Sequence, residues 1–521
     1  MHLQGKAGKN DLSTNQIRIQ YSGFIVFTTQ VLGIITGLIY TLLLTRNMTV
    51  SQYGIWTNIF DYTLYFMLFS SVLPFWVTRF TARGKQGTVK TSVFTQLTIG
   101  VVSLVIYLPA IYFISRAIGT SGYLPIYFIA GFYILNFYLT SIFESILQAT
   151  KPHAVGYGFI IQEIVKVAVA LVLILILKQI FLGAILGLVV ASAIQIFYYT
   201  YLLSDYFKEK ANWGYVKEWF KGSPAIVYNT IGAQLVSFVL ILLFLYGGSA
   251  ARAYYQAALS FTTVVGYSSS LAFGLYPRLL ANSCSDKEVG SSFRTVLMLA
   301  IPFATLAMVM SISFLTILKV SYGVAWPVLV ALTIDTVITL LYGFYTSCVM
   351  GVESFDAEGK ISIRKLVRSK IFKVFTIPYI QAAIALPLAY FVLTRNPVSE
   401  PVQATVEVIA IMIGVHLSTF AGLYVLMRRS IKIPIAWKSI GKYILASLLM
   451  GVLLFLLPTT STLLSTLAKA VGGFALYIVL LLAIDTQARE LVRLIWEEIK
   501  GTLRPLTSKN NNLQNKNGLL T

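Results

Sequence analysis

The chain has 521 residues, of which 57% are hydrophobic and only 11% charged, against about a quarter charged in a water-soluble protein. That balance excludes a soluble enzyme and indicates a polytopic α-helical membrane protein. The net charge of +21 would suggest nucleic acid in a soluble chain; here the basic residues lie between apolar segments, where they meet anionic lipid, and no nucleic-acid partner is expected.

Residues 1–20 are polar, carry no cleavable-signal pattern and read as a cytoplasmic leader. About fourteen apolar segments follow, each near the ~20 residues that a membrane-spanning helix needs. Six fall at 23–46, 53–77, 92–115, 122–147, 155–177 and 180–203. A polar linker at 204–222 precedes six more, at 224–247, 253–277, 294–317, 325–350, 372–394 and 404–427. The last two are at 440–459 and 464–485. The expected organisation is an N-lobe over 21–203, the cytoplasmic linker at 204–222 and a C-lobe over 223–430. Two extra helices within 431–490 and a cytoplasmic tail over 491–521 complete it.

The N-terminus, the even-numbered loops and the tail hold 32 Lys and Arg. The odd-numbered loops hold seven: Arg46, Arg116, Lys178, Arg252, Lys319, Arg395 and Lys469. Lys166 lies inside a span. Cytoplasmic loops retain positive charge, so both termini and the even loops are expected in the cytoplasm, and the cell membrane is the expected location.

The two halves share weak internal similarity. Gln52-Tyr53-Gly54-Ile55-Trp56 and Arg252-Ala253-Tyr254-Tyr255-Gln256 each put aromatic residues just after a short polar turn. Glu163-Ile164-Val165-Lys166-Val167 and Lys370-Ile371-Phe372-Lys373-Val374 each open a span after a cytoplasmic loop. Two six-helix repeats of equal orientation imply a pseudo-two-fold axis along the membrane normal, with a site between the lobes.

Polar residues recur at helical spacing inside several spans. The second carries Gly54, Asn58, Asp61 and Tyr65; the fourth Tyr133, Asn136, Thr140 and Glu144; the seventh Thr230, Gln234 and Ser237. The eighth carries Gln256, Ser260, Thr263, Tyr267 and Ser270, and the tenth Asp335, Thr339, Tyr342 and Thr346. Each set falls on one helix face. Uncharged stripes of this kind also serve as glue between helices. A carboxylate in mid-span, however, costs several kcal/mol unless it is paired, protonated or hydrated.

The candidate cavity residues are therefore Asp61, Asn58, Arg79, Arg252, Gln256, Gln234, Asp335 and Lys166, with Asp61, Asp335 and Glu144 as candidates for ion coupling. Arg252 is of interest because a guanidinium holds phosphate with two parallel bonds. Glu163 and Lys166, three apart on one helix, read as a structural pair. Gly33 and Gly37 form a GxxxG pattern that suggests close helix packing. His416 stands alone in span twelve and reads as structural. Cys284 and Cys348 read as small apolar fillers. There is no Walker A pattern, no HExxH and no paired Cys/His cluster, so neither a nucleotide cofactor nor a metal is expected.

The run Leu44-Thr45-Arg46-Asn47-Met48-Thr49-Val50-Ser51-Gln52-Tyr53-Gly54-Ile55-Trp56 resembles the start of Wzx-like polysaccharide-biosynthesis flippases of the multidrug/oligosaccharidyl-lipid/polysaccharide (MOP) exporter superfamily. There, a first helix runs into a short turn, then Tyr-Gly, then a second helix. Ala253-Tyr254-Tyr255-Gln256-Ala257-Ala258 looks like the matching turn of the second half. The resemblance extends to about residue 490. It implies a transporter, not an enzyme, that moves a polyprenyl-phosphate- or pyrophosphate-linked sugar to the outer leaflet. Its two lobes would alternate between inward- and outward-facing states. It also implies a cationic cavity, here drawing on Lys166, Arg79, Arg252 and Arg278, and glycan polymerases or transferases as partners. The alternative within the superfamily is a cation-coupled multidrug exporter, in which Asp61 and Asp335 bind the ion and the drug. A membrane-embedded glycosyltransferase would need catalytic carboxylates in large external loops, and the odd loops are too short to hold them.

Overall fold

The structure is a computed structural model. It describes residues 32–272, 286–352, 369–395, 400–427, 436–486 and 488–489. The leader, the start of the first span, Arg278, Cys284, most of the loop at 351–371 and the tail lie outside the described residues.

Among the described residues the chain is all-helical. The N-lobe holds α1 (Leu32–Asn47), α2 (Val50–Phe66), α3 (Val72–Ala82), α4 (Thr88–Ala117), α5 (Leu124–Thr150), α6 (Pro152–Leu171) and α7 (Ile180–Leu202). The linker contains a short helix, α8 (Gly214–Gly222). The C-lobe holds α9 (Pro224–Gly266), α10 (Asp286–Val309), α11 (Ser311–Leu318), α12 (Trp326–Val352), α13 (Lys370–Arg395) and α14 (Pro401–Met427). A C-terminal hairpin of α15 (Trp437–Leu456) and α16 (Leu463–Ile484) follows.

Eleven helices are long and apolar enough to span a membrane, and the bent pair α2–α3 makes a twelfth. The 43 residues of α9 exceed one crossing, and non-helical dihedrals at Gly248 (φ 86°, ψ 167°) divide it into two passes. With the shorter apolar α1, the described residues supply fourteen passes.

Local sequence explains several helix starts, but not the bend between α2 and α3. Thr49 caps α2, with its hydroxyl accepting from the Gln52 amide while the Gln52 side chain accepts from the Thr49 amide, a reciprocal capping box. Proline opens α6, α9 and α14, where its missing N–H is not needed. The 55° bend between α2 and α3 sits on a 3-10 turn at Leu68–Ser71 that contains neither Gly nor Pro. Its backbone is stitched to other helices instead: the Ser70 carbonyl accepts from Gln96 Nε2 at 2.9 Å, and the Phe66 carbonyl accepts from the Tyr138 hydroxyl at 3.0 Å.

The close backbone approach lies away from the GxxxG pattern. Gly33 faces the Phe159 ring, and a Cβ at Gly37 would meet nothing within 4 Å. Gly54 is the most crowded of the described glycines: a Cβ there would stand 1.8 Å from the Ser249 carbonyl oxygen. This glycine lets α2 of one lobe lie directly on α9 of the other.

Packing is unequal along the membrane normal. At the odd-loop end, one core runs through both lobes, joining Leu44, Met48, Tyr53 and Ile59 to Ala253, Ala257, Leu315, Tyr322 and Val328. Toward the even-loop end the lobes have separate cores. The N-lobe packs Leu73, Val77, Phe143 and Tyr199 around the linker's Trp219. The C-lobe packs Phe293, Phe344, Tyr345, Cys348 and Val374. The C-terminal hairpin leans on α10, where Phe303 stacks on Phe474 and the Tyr477 hydroxyl donates to the Met298 carbonyl at 2.6 Å.

Candidate functional site

The seam between the lobes is α2 lying antiparallel to the first pass of α9. Ser51 Oγ meets Ser249 Oγ at 2.7 Å near one end, and the Tyr65 hydroxyl donates to the Gln234 carbonyl at 3.1 Å further down. Beyond Gly248 the second pass of α9 begins, and its first turn presents Arg252 to α2. Gly54, Asn58 and Asp61 share one face of α2.

Asp61 and Arg252, 191 residues apart in sequence, form a two-pronged ion pair across the seam. Arg252 Nε donates to Asp61 Oδ2 at 2.6 Å and Nη2 to Oδ1 at 2.8 Å, while Nη1 reaches Gln256 Oε1 at 3.1 Å. The two charged side chains are 7% and 4% exposed, so each would carry a large desolvation cost without the other. The guanidinium fork matches the carboxylate's two oxygens, which a lysine ammonium would not do. Tyr255 adds its ring 5.6 Å from the guanidinium carbon. Fully buried Asn58 lies one turn from Asp61 on the same face of α2.

The basic residues that break the charge rule cluster at this seal. Arg46 donates to the Ile317 carbonyl at 2.9 and 3.3 Å, and Lys319 Nζ donates to the Met48 carbonyl at 2.9 Å. Together with Arg252, three of the seven odd-loop cations tie one lobe to the other. Tyr322 braces the same end, edge-on to Tyr53 and to Tyr254. Only Arg252 was singled out from sequence; for Arg46 and Lys319 the available signal was their exception to the charge rule.

Of the eight candidate cavity residues, the structure brings Asp61, Asn58, Arg252, Gln256 and Gln234 to the α2–α9 seam. The other three lie elsewhere. Lys166 is inside the N-lobe, 2.5 Å from Glu163 Oε1 and over the Tyr40 ring, with Thr36 donating to the other Glu163 oxygen. Arg79 ends α3 toward the even-loop side, its guanidinium 4.1 Å over the Phe75 ring. Asp335 is in the C-lobe, where Oδ1 lies 2.7 Å from His416 Nδ1. Glu144 accepts from Gln195 Nε2 at 3.3 Å within the N-lobe.

The histidine read from sequence as structural is thus the partner of a mid-span carboxylate. Its 81-residue separation from Asp335 hides the pairing from any local pattern. Chemically the arrangement makes a clasp at one end of a two-lobed molecule and a set of hydrogen-bonded ionisable groups within the spans. The described residues at the seam contain no paired nucleophile and base.

Neither a family model nor a curated protein matches this chain. Several solved structures share its fold. An inward-facing multidrug resistance MATE family transporter of the MOP superfamily superposes with a TM-score of 0.60 at 12% identity, covering 76% of this chain and 95% of that one. The lipid II flippase MurJ, in an inward closed conformation, gives 0.56 at 13% identity, covering 88% of this chain and 97% of that one. An outward-facing MATE family transporter gives 0.52 at 12% identity, covering 79% and 95%. At such identities the likeness establishes the fold: this is a multi-pass membrane protein with the architecture of MOP-superfamily transporters.

Proposed function

We propose that this protein is an alternating-access flippase that moves a polyprenyl-phosphate- or pyrophosphate-linked oligosaccharide from the cytoplasmic to the outer leaflet. The observation that carries the proposal is the unequal packing of the lobes, with one shared core at the odd-loop end and separate cores toward the even-loop end. With the even loops cytoplasmic, as their positive charge requires, this is an inward-facing state. A second transporter-like feature is the set of buried ionic groups placed in mid-span without catalytic company.

A glycan headgroup cannot cross ~30 Å of hydrocarbon unaided, because its hydroxyls would lose their water. A cleft between the lobes supplies replacement hydrogen bonds while the lipid tail stays in the bilayer. Asn58, Gln234 and Gln256 lie along the seam where such a cleft would open. Opening the odd-loop end requires parting Asp61 from Arg252, which frees a guanidinium for a phosphate as the clasp breaks. Arg79, nearer the even-loop end, stands where an anionic headgroup would enter. The membrane potential favours outward movement of an anion by about 2.3 kcal/mol per charge per 100 mV.

The MurJ likeness covers 88% of this chain against 76–79% for the MATE likenesses, an excess the size of a two-helix hairpin. That favours the flippase. The higher TM-score of the inward-facing MATE structure favours the second reading, a cation-coupled multidrug exporter. The two separate in cells lacking the protein. Build-up of a polyprenyl-linked glycan facing the cytoplasm, cleared by restoring the wild-type gene, is the expected result. No build-up, with new sensitivity to cationic dyes, would instead establish the exporter.

A further inference from the structure

A pocket of about 590 Å³ lies at the odd-loop end of the C-lobe, within the size range of small-molecule sites. Three elements wall it. Tyr254 comes from the first turn of the second pass of α9, and Val324 and Pro327 from the turn that leads into α12. Glu400, Gln403 and Glu407 come from the start of α14. With the even loops cytoplasmic, this end faces the outside. All the lining residues belong to one lobe, so the pocket is separate from the cleft that would open along the α2–α9 seam.

Local structure fixes the groups it presents. Glu400, Gln403 and Glu407 are spaced i, i+3 and i+7, which puts them on one face at the start of α14. The Gln403 amide donates to Glu407 Oε1 at 2.9 Å, so two planar polar groups are held in register. Across from them, Tyr254 packs edge-on to fully buried Tyr322. The Thr405 hydroxyl donates to the Ala251 carbonyl at 3.1 Å and ties α14 to the turn that carries both Arg252 and Tyr254. Two residues apart on a helix, these side chains point to nearly opposite sides: Arg252 to the seam, Tyr254 to the pocket.

Charge narrows the ligand. Of the chain's 19 acidic residues, Glu400 and Glu407 are the two at the odd-loop end; the rest lie in mid-span, in even loops or in the terminal segments. Both line this pocket. A phosphate or another carboxylate is repelled there. A metal ion lacks ligands, since no group of three His, Cys, Asp or Glu side chains forms among the described residues. Sugar hydroxyls fit: the two carboxylates accept from them, the Gln403 amide both donates and accepts, and the Val324, Pro327 and Tyr254 surfaces cover the apolar side of a ring. We propose that this pocket is an outer-face sugar subsite that takes neutral and amino sugars and rejects acidic ones. The inference rests on the flippase reading given above. The phosphate of the cargo is left to Arg252, while the sugar end settles on the other side of the same turn of α9.

The test uses the full-length protein in right-side-out vesicles, carrying Val324→Cys on the pocket wall, where the side chain is 59% exposed. A membrane-impermeant maleimide is added outside, and the unchanged chain gives the background. Glucosamine and N-acetylglucosamine should slow the modification, and glucuronic acid at the same concentration should not. Adding Glu400→Gln with Glu407→Gln should raise the glucosamine concentration for half-protection by about tenfold or more, the worth of one charge-assisted hydrogen bond. It should also end the discrimination against glucuronic acid. An unchanged labelling rate without sugar shows that this variant is folded. The subsite is overturned if no sugar protects, if glucuronic acid protects as well as glucosamine, or if protection is the same in the Gln variant. Protection by ethidium but by no sugar makes the pocket an organic-cation site and likewise overturns the proposal. The leaflet assay keeps the two readings apart. Cytoplasm-facing build-up without protection by sugars removes the subsite alone, whereas protection without build-up keeps the sugar pocket and removes the flippase.

Discussion

Single buried charges in the seam cannot stand alone. Removing Asp61 leaves a buried guanidinium uncompensated, which typically costs about 3–5 kcal/mol, whereas removing both charges is often close to neutral. Asp61→Asn should therefore lower the thermal unfolding temperature of the purified protein. The double change Asp61→Asn with Arg252→Gln should recover most of the loss, and a double variant no more stable than the single one would mean that the pair is not coupled as described. The sequence marked Asp61, Asp335 and Arg252 as costly or out of place, because composition and helical position are local properties. It did not mark their partners. Arg252 meets Asp61 across 191 residues and His416 meets Asp335 across 81, distances over which no spacing rule operates. Of the polar residues at the start of the second pass of α9, it is Arg252 that reaches the carboxylate, with Gln256 one turn on accepting from the same guanidinium.

At the scale of elements, hydropathy was enough to find the spans, since a stretch of apolar residues long enough to cross a bilayer has few other uses. The bend between α2 and α3 was not legible, because it is enforced by hydrogen bonds from Gln96 and Tyr138 on other helices. The linker at 204–222 likewise hides α8, whose Trp219 is wholly buried against the N-lobe while Trp213 stays exposed. Glycine patterns mislead in the same way: GxxxG marks α1, but the tight contact is at Gly54. Gly54→Val should keep α2 from seating on Ser249 and unseat the odd-loop seal. Spin labels at Gln86 and Ser347, exposed positions toward the even-loop ends of the two lobes, should then report a shorter separation than in wild type. Gly37→Val, with open space at its Cβ, serves as the control and should leave the separation unchanged. Equal behaviour of the two variants would remove the seam from the mechanism.

At the scale of the whole molecule, two lobes joined at one end and independently packed at the other make a lever. Its fulcrum is built from residues that stand out against the chain's own charge pattern. Arg46, Arg252 and Lys319 sit at the end where cations are scarce, and each makes a bond from one lobe to the other. In the proposed transport cycle these contacts must part for cargo to leave. Ser51 and Ser249, whose hydroxyl oxygens are 2.7 Å apart across the seam, offer a direct way to hold them together. Replacing both with cysteine, Ser51→Cys with Ser249→Cys, puts two thiols within bridging distance. The measurement is the leaflet distribution of lipid-linked sugar in cells whose only copy carries both changes, under oxidation and after reduction. The account predicts cytoplasm-facing build-up while the bridge is closed and clearance once it is reduced. Clearance at the wild-type rate with the bridge closed would contradict it.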